Sequence, residues 1–191
     1  MLAPKKSASV VLFLSAMTGL VAAAPSDFDI RISNFPQVVI NELHVDPDVK
    51  TELVEFVEMH NPGTSELDLS GWRFTSGILD AFPSGAKIAA GEYVIVAQDP
   101  SHIHAKWSEG RFPIPAGLVF GPYAGKLDNE GDRIVLCDAQ GQVIDEVEYQ
   151  LGFPWPTVGD PVPADQPGAG CSMQLTSPLF DNDLGGSWRS R

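Results

Sequence analysis

The protein has 191 residues, with 12 Lys and Arg against 25 Asp and Glu, which gives a formal net charge of −13. A chain this acidic lacks the basic surface that neutralises phosphates, so we do not expect it to bind nucleic acid or anionic lipid directly. Hydrophobic residues make up 43% of the chain, and 18 glycines and 16 prolines break it into short elements. This composition fits one domain with an apolar core and many turns.

The first residues have the pattern of a secretion signal. Lys5 and Lys6 precede an apolar run at 10–21 (VVLFLSAMTGLV), and three alanines follow at 22–24. We therefore predict a cleavable signal peptide at 1–23, cut after Ala23, and a secreted, periplasmic or cell-envelope destination. The alternative is a membrane anchor, but about 12 apolar residues are short for a bilayer that needs roughly 20. Cleavage removes two lysines and no acid, so the mature chain is more acidic still.

The mature chain has strand patterns from end to end. After a short polar leader at 24–36, we assign one domain to residues 37–191. The predicted strands lie at 37–43 (QVVINEL), 53–59 (LVEFVEM), 71–74 (GWRF), 93–97 (YVIVA), 133–137 (RIVLC), 143–149 (VIDEVEY) and 171–175 (CSMQL). Residues 101–107 could form one or two helical turns, 152–170 is a Pro/Gly-rich loop, and the C-terminal end is turn-like. Short strands separated by turns predict an all-β sandwich.

Several of these segments resemble the lamin tail domain family. The matching segments occur in the family's order: VVINELHVDP at 38–47, LVEFVEMHNPG at 53–63, LDLSGWRF at 67–74, IAAGEYVIVAQDP at 88–100, LDNEGDRIVLCDAQGQVIDEVEY at 127–149 and SPLFDNDLGGSW at 177–188. The resemblance implies an immunoglobulin-like β-sandwich that acts as a docking module without catalytic activity. The chain differs from nuclear lamins in its secretion leader and its lack of a coiled-coil rod. It therefore resembles the bacterial secreted type, not a nuclear scaffold.

Five residues of the matching segments have structural interpretations. Asn41 and Glu42 belong to the Ile-Asn-Glu start, where the asparagine can satisfy free backbone groups. Trp72 is interpreted as a core plug between the sheets rather than a ligand platform. Gly131 supplies a positive φ in the turn at 129–132. Trp188 could fold back and cap the open end of the sandwich.

Acidic residues cluster on the turns, which allows a calcium hypothesis. Asp46, Asp48 and Glu52 follow the first strand, and Asp128, Glu130 and Asp132 lie in a later turn. Carboxylates alternating on turns can supply the oxygen ligands that calcium prefers. The second group lacks the glycine that a twelve-residue calcium loop has at its sixth position, which here is Arg133. The competing interpretation is solubilising charge, with no cofactor at all.

The cysteines and histidines give weaker signals. Cys137 and Cys171 could form a disulfide in an oxidising compartment, although the sequence cannot show that they are close enough. The histidines are His44, His60, His102 and His104. A His102-x-His104 pair on a strand, with one of the others, could recruit zinc, but few ligands in a loop favour surface histidines instead.

No sequence pattern for a catalytic nucleophile, a metalloprotease helix or a phosphate loop is present in the chain. We therefore expect a non-catalytic module that binds an unknown protein or cell-surface component. A calcium-stabilised structural or adhesion domain is the alternative. An accessory domain of an extracellular hydrolase system is a third hypothesis.

Overall fold

The computed structural model describes residues 37–47, 52–107, 114–159 and 170–191. These residues belong to one compact unit, Phe35–Arg191. The predicted signal peptide and polar leader lie outside the described residues, as does the 160–169 part of the predicted Pro/Gly-rich loop.

Within the described ranges the regular secondary structure is mostly β-strand. One α-helix, α1 (Pro100–Trp107), and two 3₁₀ turns, Ala116–Leu118 and Gly185–Ser187, interrupt the strands. The strands are β1 (Val39–His44), β2 (Phe56–His60), β3 (Leu67–Asp68), β4 (Arg73–Ser76), β5 (Ile78–Ala81), β6 (Lys87–Ile88), β7 (Tyr93–Ala97), β8 (Val119–Phe120), β9 (Ala124–Gly125), β10 (Gly131–Cys137), β11 (Val143–Gln150), β12 (Met173–Leu175) and β13 (Trp188–Ser190).

Two large sheets face each other across one core. The first has the order β13-β12-β1-β2-β7-β8, and the second has the order β11-β10-β4-β5-β9. All pairings in both sheets are antiparallel except β7 with β8. The inward side chains of both sheets, such as Leu43, Val57 and Leu136, join one buried apolar cluster. The predicted all-β, immunoglobulin-like sandwich is confirmed.

The β-strands follow the alternation of the sequence, and this alternation gives the six-stranded sheet two different faces. On β2, Val57 and Met59 belong to the main core. Phe56 and Glu58 have the opposite parity and lie on the outer face, away from the second sheet. The strand at 53–59 therefore has apolar residues on both of its faces because each face packs against a different part of the molecule.

Helix α1 covers one end of that outer face. Asp99 precedes the helix and accepts a hydrogen bond from the Ser101 backbone N–H at 2.8 Å, and Pro100 occupies the first helical position. Ile103 is buried in a second apolar cluster with Val54, Phe56, Ile95 and Ala97. The helix covers this cluster, and among the described residues the rest of the outer face forms a groove.

The C-terminal end differs from its prediction. It was expected to be turn-like, but residues 188–190 form β13, which pairs with β12 at Leu175 and Trp188. Each turn of this end is short and polar, and the strand is only three residues long. The pairing with β12 supplies the order that the local sequence does not indicate.

Candidate functional site

The open part of the outer face carries a cross-strand pair of acids. Glu42 on β1 lies directly opposite Glu58 on β2 in the antiparallel register. Like charges at such a position destabilise a sheet. This pair is therefore unfavourable for folding alone and is the feature of the face that most needs an explanation.

Neutral donors hold the two carboxylates in place. Glu42 accepts hydrogen bonds from the Ser172 hydroxyl at 2.6 Å and from the Gln174 amide at 3.2 Å. Glu58 accepts one from the Asn41 amide at 2.9 Å. Asn41 can reach across because β1 is irregular between Ile40 and Glu42. These contacts orient the carboxylates without neutralising them.

The environment of Glu58 disfavours its charge. Burial is the main cause that raises the pKa of its carboxyl from 4.5 to about 7; the nearby Glu42 carboxylate also raises this pKa, and Asn41 and Arg191 oppose the shift. A titratable group shifted this far in a concave site is a marker of function. At neutral pH, Glu58 therefore exists in both its charged and its neutral form.

The two acids open into a hollow of about 450 Å³, which we call the acidic groove. It is lined by Glu42, His44, Phe56, Glu58, Ile95, Trp107, Ile114, Gly170, Ser172 and Arg191. One side is aromatic. The His44 ring centroid lies 5.2 Å from that of Phe56, and the Trp107 centroid lies 6.1 Å from both.

A second hollow of about 400 Å³ adjoins the acidic groove at Arg191. Its lining is Asn41, Tyr93, Gln174, Leu175, Thr176, Pro178, Arg189, Ser190 and Arg191. Asn41 and Gln174, which hold the two acids, therefore also line the neighbouring hollow. Together the two hollows are lined by residues of β13, β12, β1 and β2.

The sequence comparison identifies the family of this sandwich. The family model of the lamin tail domain matches residues 32–150. The chain belongs to the lamin tail domain family. The predicted resemblance is thus confirmed, although the family match ends before the 177–188 segment that also resembled it. No curated protein matches the chain.

A solved structure supports the fold of this lamin tail domain. The crystal structure of a DUF4876 family protein from Bacteroides thetaiotaomicron VPI-5482 superposes with a TM-score of 0.51 and 11% sequence identity. The match covers 82% of this chain and 68% of the other. At this identity the likeness concerns the fold alone.

The predicted calcium ligands line two hollows, with Asp128, Glu130 and Asp132 in one and Asp46 and Glu52 in the other, and most of their carboxylates are engaged with protein donors. Asp46 accepts a hydrogen bond from the Asn129 amide, so the two acidic turns do meet. Asp128 accepts from the Glu130 N–H at 2.8 Å, and Asp132 accepts from the Arg133 N–H at 2.7 Å. Glu52 pairs with Lys106 at 2.6 Å.

Within the described part of the chain, no three His, Cys, Asp or Glu side chains converge as a metal site. Asp48 lies outside that part. The acidic pair of the groove, Glu42 and Glu58, was not among the predicted metal ligands.

The cysteines and histidines have structural surroundings. Cys137 and Cys171 are free thiols, so the disulfide that they could form is not present, and the Cys137 sulfur instead lies 3.6 Å from the Thr75 hydroxyl. His102 and His104 lie on α1, not on a strand. His102 accepts a hydrogen bond from the Leu53 N–H at 2.9 Å, so it anchors the chain before β2.

The other predicted structural residues lie in or beside the core of this lamin tail domain. Trp72 is buried in the main cluster. Gly131 has a φ of +149° at the start of β10, and a Cβ there would lie 2.7 Å from the Tyr149 carbonyl oxygen, so only glycine fits. Trp188 is 1% exposed and stands with its ring centroid 5.8 Å from that of Trp155.

Sequence reasoning missed a polar bridge between the two sheets. Asp145 on β11 accepts hydrogen bonds from the Ile40 N–H at 2.7 Å and from the Asn182 amide at 2.8 Å. The Asn182 side-chain amide also donates to the Ile40 carbonyl. The backbone carbonyl of Asn182 accepts a hydrogen bond from the Trp188 indole at 2.7 Å. Asp145 alternates with the apolar residues Val147 and Tyr149 on β11. This acid at an inward-facing position was the signal that the sequence offered.

The bridge completes the pairing of β1. Strand β12 pairs with β1 only at Glu42 and Leu43, so the backbone of Ile40 lies beyond the end of that ladder. Asp145 and Asn182 satisfy its N–H and carbonyl, as buried backbone groups require.

No helix long and apolar enough to span a membrane occurs among the described residues of this lamin tail domain.

Proposed function

We propose that this lamin tail domain is a secreted or envelope-associated interaction module that binds a protein or surface component through the acidic groove. The observation that carries the proposal is the Glu42–Glu58 pair, which opposes folding and yet faces a concave, partly aromatic surface. Functional sites commonly retain such unfavourable local features. The family is a non-catalytic immunoglobulin-like domain, which supports binding over catalysis.

The groove has the polar and apolar composition of a recognition surface. Its aromatic side supplies contact area, and its carboxylates supply orientation. The Ser172 hydroxyl donates to Glu42 and extends the holding network. His44 has Nδ1 2.8 Å from the Val54 carbonyl oxygen and Nε2 3.3 Å from that of Gly170. Both ring nitrogens of His44 thus lie against carbonyl oxygens of the fold, which favours a non-catalytic role.

A photo-crosslinking experiment tests the groove as the binding surface. A benzophenone amino acid replaces Tyr93, which is 44% exposed beside the groove, or Leu79, which is 57% exposed on the five-stranded sheet. In envelope extracts we expect a specific adduct from the first position and none from the second. Equal adducts from both positions, or none from the first, would contradict the proposal.

Two further assays address export and catalysis. N-terminal sequencing of the exported protein is expected to begin at Ala24, and retention of residues 1–23 would contradict secretion by cleavage.

A broad hydrolase screen is expected to show no turnover. Turnover that Glu58→Gln abolishes would instead make this group a general acid or base.

A further inference from the structure

The acidic groove has a chemical preference that follows from its pair of acids. Glu42 and Glu58 stand opposite each other, and the donors that hold them, Asn41, Ser172 and Gln174, are neutral. A cation placed between the carboxylates would convert their repulsion into attraction. The groove therefore favours a positively charged group over a neutral or acidic one.

The structure shows how a guanidinium group lies beside this pair. Arg191 lines both hollows, and its guanidinium donates to the Gln174 side-chain oxygen. The backbone of Arg191 pairs with Ser172 through two hydrogen bonds of 3.0 Å. This residue is exposed, and its charge acts on Glu58, so it balances part of the charge of the two acids.

The aromatic side distinguishes among cations. Phe56 and Trp107 meet edge to face at 6.1 Å, which leaves an aromatic surface next to the carboxylates. The Lys106 ammonium already lies 5.8 Å from the Trp107 ring centroid, so this ring accepts a cation. A planar guanidinium can stack on an aromatic ring and donate to two carboxylates at once, whereas an ammonium cannot do both as well.

We propose that the acidic groove binds an arginine side chain of a protein partner, with its guanidinium between Glu42 and Glu58 and its plane against Trp107. This inference rests on the proposed function. An extended protein segment is favoured because the adjoining hollow of about 400 Å³ offers room for neighbouring residues. The net charge of −13 steers basic segments toward the domain.

Synthetic peptides test the proposal directly. Fluorescein-labelled Gly-Ser-Gly-Arg-Gly-Arg-Gly-Ser is titrated with the mature chain at pH 8 and 150 mM salt. The same peptide with citrulline, which has the shape of arginine without its charge, is the matched probe. We expect binding about tenfold tighter for arginine than for citrulline and intermediate binding for a lysine version. Equal affinity for arginine and citrulline would overturn the proposal.

Variants locate the binding. Glu42→Gln with Glu58→Gln keeps the side-chain shapes and is expected to lose the preference for arginine over citrulline. Trp107→Ala is expected to lose the preference for arginine over lysine. Glu148→Gln, on the other sheet, is the control and is expected to leave every affinity unchanged. A loss as large in the Glu148 variant would show general charge attraction and overturn the proposal.

The two proposals fail in distinguishable ways. If the adduct at Tyr93 persists in the double glutamine variant and the arginine peptide does not compete with it, the groove binds a partner without an arginine contact. If no adduct forms at Tyr93, the interaction function itself fails. Self-association of the chain that occupies the groove, measured by sedimentation, would also overturn the arginine proposal.

Discussion

Asp145 and Glu58 both have a carboxyl pKa raised above its ordinary value, but they lie in different surroundings. Burial is the main cause that raises the pKa of both carboxyls, to about 6 for Asp145 and about 7 for Glu58. Asp145 lies between the sheets and bridges Ile40 and Asn182. Glu58 lies on the outer face with a second acid opposite it and a hollow above it.

The comparison separates a carboxylate that bridges the two sheets from one that lies in the proposed binding site. The bridge at Asp145 satisfies backbone groups that β12 does not reach, so its burial stabilises the end of a sheet. The hydrogen bonds of Glu42 and Glu58 come from side chains rather than backbone groups, and the pair places like charges together. A shifted pKa alone therefore does not identify a binding site, whereas a shifted pKa beside a second acid in a groove supports the proposal of one.

The largest expected difference between the two regions concerns their tryptophans. Trp188→Ala removes a ring that is 1% exposed in the core and is expected to lower the free energy of unfolding by about 3–5 kcal/mol. Trp107→Ala removes a half-buried ring from the groove and is expected to lower it by less than about 2 kcal/mol. Urea denaturation of both variants measures the difference, and equal losses would contradict the division.

The next largest effect is expected in the polar bridge. Asn182→Ala removes the amide that donates to Asp145 and to the Ile40 carbonyl, leaving buried acceptors unsatisfied. We expect a loss of about 1–3 kcal/mol of unfolding free energy with no change in arginine-peptide affinity. A variant of unchanged stability would show that the bridge does not hold the sheets.

A smaller effect, of opposite sign, is expected in the groove. Because the folded state raises the pKa of Glu58 from 4.5 to about 7, its contribution to stability is fully present below pH 4.5. It is lost as the pH rises through 7. The full shift would correspond to about 3 kcal/mol, and solvent in the groove screens part of it. Glu58→Gln should therefore be more stable than the natural chain by about 1–2 kcal/mol at pH 8 and equal to it near pH 4.

Denaturation at pH 4, 6 and 8 tests this sign, with Glu148→Gln as the exposed control. If Glu58→Gln is less stable than the natural chain at pH 8, the carboxylate contributes to folding, and the functional interpretation of the pair is wrong.

The smallest expected effect is that of calcium. Asp46 accepts a hydrogen bond from Asn129 of the other acidic turn, and Asp128 and Asp132 accept hydrogen bonds within their own turn. We therefore expect calcium and chelator to move the melting temperature by less than about 1 °C. A rise of several degrees with calcium, lost in Asp128→Asn, would restore the calcium-stabilised alternative.

The sequence predicts the sandwich because its strands are marked by local residue patterns. The runs at 93–97 and 143–149 alternate or are wholly apolar, and the structure places β7 and β11 there. It does not predict β3, β5 and β9, which have two to four residues each. Strands this short depend on pairing partners far along the chain rather than on their own pattern.

The groove was less predictable than the fold. Glu42 was assigned a structural role, and Glu58 was only one member of an alternating strand. Their importance comes from the register that sets them opposite each other, and register is a property of two strands together. The acidic turns were visible in the sequence, whereas the acidic pair required the sheet.

The most direct test compares the four tryptophan indoles during a titration. In a nitrogen-15-labelled chain, the arginine peptide is expected to shift the indole resonance of Trp107 and to leave those of Trp72, Trp155 and Trp188 in place. The citrulline peptide should move none of them. An unmoved Trp107, or equal shifts at Trp107 and Trp188, would contradict the assignment of the outer face to binding and of the inter-sheet core to structure.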